Sequence, residues 1–251
     1  TELEDADTNP VQFGAIHYGT RGVFAGGDAP PTSDTIDYIT IGTANADATD
    51  FGNLTIATKQ HGGACSNGTR GVFAGGTTPP GTADTMQYIT IGSTGNATDS
   101  NELTQARYAG SAVSDGYYGV FSGGWGSAIS EVIDYIAITT VADAVDFGNL
   151  IQARRYTSGS SNNSRGIIFG GENGAAAVDT ISYITISNRG NATDFGEVVA
   201  GIRSGHGGAS DGSRSVHGGG NGPSDVIDYL NAGTVADSTD FGNLATGSAE
   251  L

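Results

Sequence analysis

Arg21-Gly22-Val23-Phe24-Ala25-Gly26-Gly27 is a short apolar run that ends in a glycine doublet, and related runs occur four more times in the 251 residues. The later copies begin at Arg70, Tyr118, Arg165 and Arg214. The second glycine of each doublet falls at 27, 76, 124, 171 and 220, so the steps are 49, 48, 47 and 49 residues. A period of this length with one apolar run per unit is typical of stacked β-blades.

Each repeat contains four segments with the residue pattern of a strand. The apolar run is the second. The first segment is small and weakly apolar, at 12–17, 61–66, 109–114, 157–161 and 205–210. The third alternates β-branched or aromatic residues with polar ones, which is typical of a half-buried strand, at 36–41, 86–91, 133–138, 181–186 and 227–232. The fourth lies at 49–54, 98–103, 145–150, 193–198 and 239–244.

Asn-Gly, Asp-Gly and related pairs separate the first and second segments, for example Asn67-Gly68 and Asp115-Gly116. These pairs adopt positive φ at little cost, so they predict two-residue hairpin turns. No segment has the length and 3.6-residue period of a helix. The sequence therefore predicts an all-β, five-bladed β-propeller with four antiparallel strands per blade.

The predicted domain organisation is one propeller preceded by a short arm. Residues 1–10 are acidic and lack strand alternation, and the propeller spans 11–251. Its blades lie at about 11–55, 56–104, 105–151, 152–199 and 200–246. Because there are five full sets and no spare strand, we expect a closed ring in which blade 1 meets blade 5 directly. An open solenoid is the alternative.

The repeats resemble kelch repeats, which combine an Arg, an apolar run ending in Gly-Gly, a Tyr and a Trp. The Arg/Lys position is occupied by Lys59, Arg107, Arg154 and Arg203. The tyrosines are Tyr38, Tyr88, Tyr135, Tyr183 and Tyr229. Phe51, Ser100, Phe147, Phe195 and Phe241 stand where kelch repeats have Trp. The resemblance implies a kelch-like propeller, a fold that serves unrelated functions.

The units are also similar to the Gly-rich, kelch-like structural proteins of marine tailed phages such as cyanophages. That resemblance implies a non-enzymatic virion protein of the tail-fibre, adhesin or head-decoration type, located in the extracellular particle. Its expected partners are other virion proteins and a host-surface glycan or protein, and a homo-oligomer is compatible with such a role. No cofactor is implied.

The chain carries a net charge of −17. Nucleic acid is therefore a poor partner, because phosphate binding requires a basic patch. Membrane insertion is not expected either, since no apolar run approaches the ~20 residues of a membrane helix. The single cysteine, Cys65, aligns with Val113 of the next repeat and is predicted to be a small buried hydrophobe.

Thirteen of the 27 acidic residues occupy repeated positions. One set could form a carboxylate ring that binds a divalent cation such as Ca²⁺: Asp34, Asp84, Glu131, Asp179 and Asp225. The favoured interpretation is structural, with the acids satisfying turn amides and pairing with the repeated arginines, because chemistry that is needed once does not require five copies. The four histidines have no metal-ligand spacing.

The loops that follow the glycine doublets differ most among the repeats, and loops on a rigid scaffold are the usual binding elements. The only tryptophan, Trp125, opens one of these loops. We expect a binding face that includes Trp125, Glu172, Asn173 and Asn221. An exposed Trp could stack on a sugar, so a lectin-like carbohydrate-binding module is an alternative function. A five-bladed glycosidase with paired carboxylates is a second alternative.

Overall fold

The structure, a computed structural model, describes residues 19–27, 32–44, 47–222 and 224–248. It is an all-β, five-bladed β-propeller whose sheets each consist of strands that are consecutive in the chain. The acidic arm, the predicted first strand at 12–17 and residues 28–31 of the first variable loop lie outside the described residues. No helix in the described ranges is long and apolar enough to cross a membrane.

The strands are numbered in chain order. Blade 1 contains β1 (Arg21–Ala25), β2 (Thr35–Thr40) and β3 (Thr49–Asn53). Blade 2 contains β4 (Gly63–Ser66), β5 (Arg70–Thr78), β6 (Gly81–Thr90) and β7 (Thr98–Glu102). Blade 3 contains β8 (Ser111–Ser114), β9 (Tyr118–Ser122), β10 (Val132–Ala137) and β11 (Val145–Asn149). Blade 4 contains β12 (Ser158–Ser161), β13 (Arg165–Phe169), β14 (Thr180–Thr185) and β15 (Thr193–Glu197). Blade 5 contains β16 (Gly207–Ser210), β17 (Arg214–Gly218), β18 (Ser224–Asn231) and β19 (Thr239–Ser248).

The hairpin between the first two strands of a blade has the predicted two-residue turn, but the two turn residues lie one position later than expected, at Gly68-Thr69 instead of Asn67-Gly68 in blade 2. In blade 2, Ser66 pairs with Gly71 and the amide of Asn67 donates to the carbonyl of Arg70. The Asn67 side-chain oxygen accepts from the amides of Thr69 and Arg70 at 3.0 and 2.7 Å. Gly68 has a φ of 81° and is the first of the two turn residues, so the glycine is needed there for its left-handed conformation.

The innermost described strands are built from small residues that allow neighbouring blades to approach closely. Serine hydroxyls join them: Ser114 Oγ donates to the carbonyl of Ser66 at 3.0 Å, and Ser161 Oγ donates to that of Ser114 at 2.8 Å. A Cβ atom on Gly63 would lie only 2.8 Å from the Cβ of Ala112. The weakly apolar first segments are therefore the strands nearest the propeller axis.

The apolar core lies between blades. At the junction of blades 1 and 2, Ile36 and Phe51 of one blade pack with Phe73, Ile89 and Ile91 of the next. The junctions of blades 2 and 3, 3 and 4, and 4 and 5 use the equivalent positions. Each blade therefore presents two different apolar faces, one to the preceding blade and one to the following blade.

The arginine that opens the second strand also joins adjacent blades. Arg21, Arg70, Arg165 and Arg214 each stack on the tyrosine of the third strand, at 4.1–4.7 Å from the ring centre. Three of them also donate to a carbonyl of the next blade, as Arg21 does to Ile91 at 2.8 Å. The predicted pairing of these arginines with repeated acids was wrong, because tyrosine rings and carbonyls are their partners.

The second repeated basic position, which includes Arg107 and Arg203, forms ion pairs with repeated acids, as the sequence predicted. Arg107 meets Asp134 at 2.8 Å, and Arg203 meets Asp228 at 2.5 Å, with all four side chains buried. In blade 4 the corresponding Arg154 bonds to Ser182 at 2.5 Å and to backbone carbonyls.

The placement of Lys59 in this second basic set was wrong. The carbonyls of Thr58, Arg107, Arg154 and Arg203 accept equivalent bonds from the second glycines of the doublets. Thr58 is therefore the blade 1–2 member of the set, and Lys59 lies one residue later.

Blade 1 and blade 5 each retain one uncovered apolar face among the described residues. Phe24 is 59% exposed and Ile41 is 64% exposed, whereas the aligned Phe73, Phe121 and Ile168 are buried, as are Ile91, Ile138 and Ile186. Phe241 is 53% exposed, although Phe51, Phe147 and Phe195 are buried. The described residues thus form four junctions between blades, and the predicted direct contact of blade 1 with blade 5 is not among them.

Candidate functional site

In blades 2, 3 and 4, one end of the blade carries a short bridge between two chain segments. The residue after the doublet pairs with a residue of the segment that connects two blades. In blade 3 the amides of Trp125 and Tyr108 donate to each other's carbonyls at 2.7 and 2.9 Å. In blade 4 Glu172 and Arg155 do the same at 2.9 and 3.0 Å. These bridges bring the variable positions onto one face, which we call the loop face.

Trp125 and Glu172 come together on the loop face through Arg155. The Arg155 guanidinium lies 4.6 Å from the centre of the Trp125 ring and 5.0 Å from that of Tyr156. Its Nε donates to Glu172 Oε1 at 2.7 Å, with both side chains partly exposed. The side chains of Trp125, Arg155, Tyr156 and Glu172 form a half-buried cluster at the junction of blades 3 and 4, named the Trp125 cluster below.

The other two predicted site residues do not contribute side-chain contacts to this cluster. Asn173 is exposed beside Glu172, and its side-chain oxygen accepts from the amides of Ala175 and Ala176 at 3.1 and 3.2 Å. Asn221 lies in blade 5, where its amide group donates to Ser204 Oγ at 3.1 Å. Both asparagines therefore stabilise the conformation of their own loops. The aromatic and charged side chains of the loop face that contact one another lie at the junction of blades 3 and 4.

The candidate cation ligands lie one per blade, beside the pairing of the third and fourth strands. The carbonyls of Asp34, Asp84, Glu131 and Asp179 accept from amides at the end of the fourth strand, at 2.6–2.8 Å. Within the described part of the chain, no three His, Cys, Asp or Glu side chains are grouped so that they could hold a metal ion. The five acids, Asp225 among them, therefore form no such cluster in the described residues.

Two histidines, His206 and His217, are buried at the junction of blades 4 and 5. Burial lowers the pKa of His206 to about 3, and the charge of Arg203 adds to the effect. The pKa of His217 is lowered well below its usual value, first by burial and then by His206 and Arg203. His217 stacks on Phe169 with ring centres 3.8 Å apart, and His206 meets Phe169 edge-on at 5.5 Å. These imidazoles therefore pack as neutral rings at neutral pH.

Cys65 lies on an innermost strand, partly buried against the core of blades 2 and 3. Burial raises the pKa of its thiol to about 12. A cavity of about 280 Å³ adjoins it, lined also by Arg21, Val23 and Phe73 at the junction of blades 1 and 2. The neutral thiol fits the predicted role of a small hydrophobe.

Sequence reasoning missed Tyr108, Arg155 and Tyr156 as loop-face residues. They belong to the segments that connect one blade to the next. The repeat pattern shows only that these segments follow the buried arginines. The available signal was the lack of agreement among Lys59, Tyr108, Arg155 and Ser204, which occupy one position in four successive junctions.

No protein-family model and no curated protein matches the chain. The class of the protein is that of its fold, a five-bladed β-propeller with a loop face that varies from blade to blade.

Proposed function

We propose that this protein is a non-enzymatic attachment or display protein that uses its rigid propeller to hold the loop face against a binding partner. The observation that carries the proposal is the Trp125 cluster. It is the place on the described loop face where aromatic rings and charged groups of both signs come together, whereas the surrounding blade residues repeat. The resemblance of the repeats to phage structural proteins supports a virion role, with a host surface or another virion protein as the partner.

The chemistry of the cluster suits recognition. Trp and Tyr provide large rigid contact areas, and Arg and Glu provide directional hydrogen bonds. Arg155 fixes the tryptophan ring from one side by stacking while Glu172 fixes Arg155, so little side-chain entropy is lost when a partner binds. The supporting backbone bridges hold both loops on the same scaffold.

A carbohydrate partner is the second candidate, because the cluster combines two aromatic side chains with an ion pair. Aromatic faces pack against the C–H faces of sugar rings, and paired charged groups bond to hydroxyls. Under this proposal the host-surface partner is a glycan, and Trp125 provides the stacking surface.

The binding test compares two aromatic substitutions in the same blade. Trp125→Ala removes the centre of the cluster, while Tyr117→Ala removes a 58% exposed ring from the opposite end of blade 3. We expect Trp125→Ala to weaken binding to host cells or to a glycan array by at least about tenfold, as is typical for a buried aromatic anchor, and Tyr117→Ala to leave it unchanged. Equal binding by both variants would remove the Trp125 cluster from the proposal.

The virion role has a separate test. Mass spectrometry of purified phage particles should detect the protein in a fixed ratio to the other structural proteins. Its absence from particles, together with its presence in infected cells, would contradict a structural role in the virion.

A further inference from the structure

The uncovered face of blade 1 and the uncovered face of blade 5 are the two halves of the junction that the chain forms four times. Phe24, Ile41 and Ala48 of blade 1 correspond to the buried Phe73, Ile91 and Ala97 of blade 2, yet all three are exposed. They belong to the face that a blade presents to the preceding blade. We call this the leading face of blade 1.

Blade 5 carries the opposite half. Its Phe241 corresponds to Phe51, Phe147 and Phe195, which pack against the following blade. Ile227 is partly exposed, although the aligned Ile36, Met86, Ile133 and Ile181 are completely buried. We call this the trailing face of blade 5.

The space around a glycine on the trailing face also indicates that a neighbouring blade would fit there. A Cβ atom on Gly52 or Gly196 would meet the turn of the next blade at 2.5 or 2.6 Å. The aligned Gly242 has a similar φ of 137°, but a Cβ atom there would meet nothing within 4 Å. The surface at Gly242 thus has the shape that receives a neighbouring turn, and in the described part of the chain no turn occupies it.

The polar groups of the two faces are complementary as well. At formed junctions, the second-strand arginine donates to a carbonyl that aligns with that of Ile41. An Asn or Asp side chain of the following blade accepts from an amide of the fourth strand, as Asn191 does from Asn149 at 3.0 Å. The trailing face presents the exposed Arg214 and the amide of Asn243, and the leading face presents the carbonyl of Ile41 and the carboxylate of Asp47.

We propose that the trailing face of blade 5 docks on the leading face of blade 1 of a second copy of this chain, and so repeats the junction between blades across a subunit boundary. The two faces differ, so the contact is heterologous and leaves a free face at each end of a dimer. Copies can therefore add head to tail. The two faces carry the Arg214 cation and the Asp47 carboxylate, so the contact does not bring only acidic groups together.

The test uses two variants that each disable one face. Phe24→Asp places a charge on the leading face, and Phe241→Asp places one on the trailing face. Both side chains are exposed, so the monomer should keep its fold. Analytical ultracentrifugation over a concentration series should show wild-type protein assembling beyond the monomer. Each variant alone should be monomeric, because a carboxylate in this apolar contact weakens association by about 100-fold or more.

Mixing the two variants gives the decisive result. The intact trailing face of Phe24→Asp can bind the intact leading face of Phe241→Asp, so the mixture should form a dimer and stop there. Val141→Asp, at a 49% exposed position in blade 3 away from both faces, should assemble as the wild type does. A mixture that stays monomeric, or a single variant that still assembles, would overturn the proposal. So would a monomeric wild-type protein, in which strong hydrogen-exchange protection of β1 and β19 would indicate that the two faces meet within one chain.

Discussion

The packing of His206 between blades 4 and 5 predicts that acid destabilises this propeller well above the pH at which carboxylates titrate. In the unfolded chain the imidazole has a pKa of 6.5, and in the folded chain its pKa is about 3. Below pH 6.5 the unfolded state therefore binds a proton that the folded state does not bind. The free energy of unfolding consequently falls as the pH falls from 6.5 towards 3. Between pH 8 and pH 5 this amounts to about 2 kcal/mol from His206 alone, at about 1.36 kcal/mol per pH unit below 6.5.

The measurement is the free energy of unfolding in urea at pH 8 and at pH 5, for the wild type and for His206→Leu. The variant keeps an apolar side chain beside Phe169 but cannot bind a proton. Its loss of stability on acidification should be smaller than that of the wild type by about 2 kcal/mol. His61 and His217 titrate in both proteins, so only the difference between the two losses reports on His206. Equal losses would show that the His206 imidazole is protonated in the folded state, which its burial against Phe169 forbids.

Three further predictions concern stability and reactivity. Asp134→Leu should lower the free energy of unfolding by about 3–5 kcal/mol in urea denaturation, because it leaves the Arg107 cation buried without its carboxylate; a loss below 1 kcal/mol would mean that water reaches Arg107. Gly148→Ala should cost about 1–3 kcal/mol more than Gly242→Ala in dilute protein, because both have positive φ but only at 148 does a Cβ atom meet the next blade's backbone; equal melting temperatures would contradict this. Cys65 should react with iodoacetamide at pH 8 far more slowly in the folded than in the urea-unfolded protein, because burial keeps its thiol neutral with a pKa of about 12; equal alkylation rates would refute that burial.

The fold was predictable because every blade repeats the same local pattern. The doublet at Gly75-Gly76 and the alternation around Tyr88 recur at each step, so five copies of the signal confirm one another. The structure confirms the five-bladed propeller and the strand order. The two hairpin turn residues were placed one position too early, because Asn67-Gly68 is itself a pair that favours a two-residue turn, whereas the backbone pairing of Asn67 with Arg70 puts Gly68 and Thr69 in the turn.

The partners of the charged side chains were less predictable, because they depend on how neighbouring blades are oriented. Arg70 is followed by an apolar run and is separated by 68 residues from the carbonyl of Ile138 that it contacts. The sequence offered many acids as partners, whereas the buried junction offered a tyrosine ring and a carbonyl. Only the three-dimensional arrangement distinguishes these choices.

The sequence alone determined the number of blades, the order of their strands and the end of each blade where variation accumulates, because these properties follow from a local pattern that is repeated at a fixed period. Tertiary structure decided which variable residues meet. Trp125 and Glu172 are 47 positions apart in the sequence. They share a site because Arg155, on the loop face at the junction of blades 3 and 4, contacts both of them. It also decided that Phe24 and Phe241 are exposed while their repeats are buried, since burial depends on whether a neighbouring blade is present and not on the residue itself.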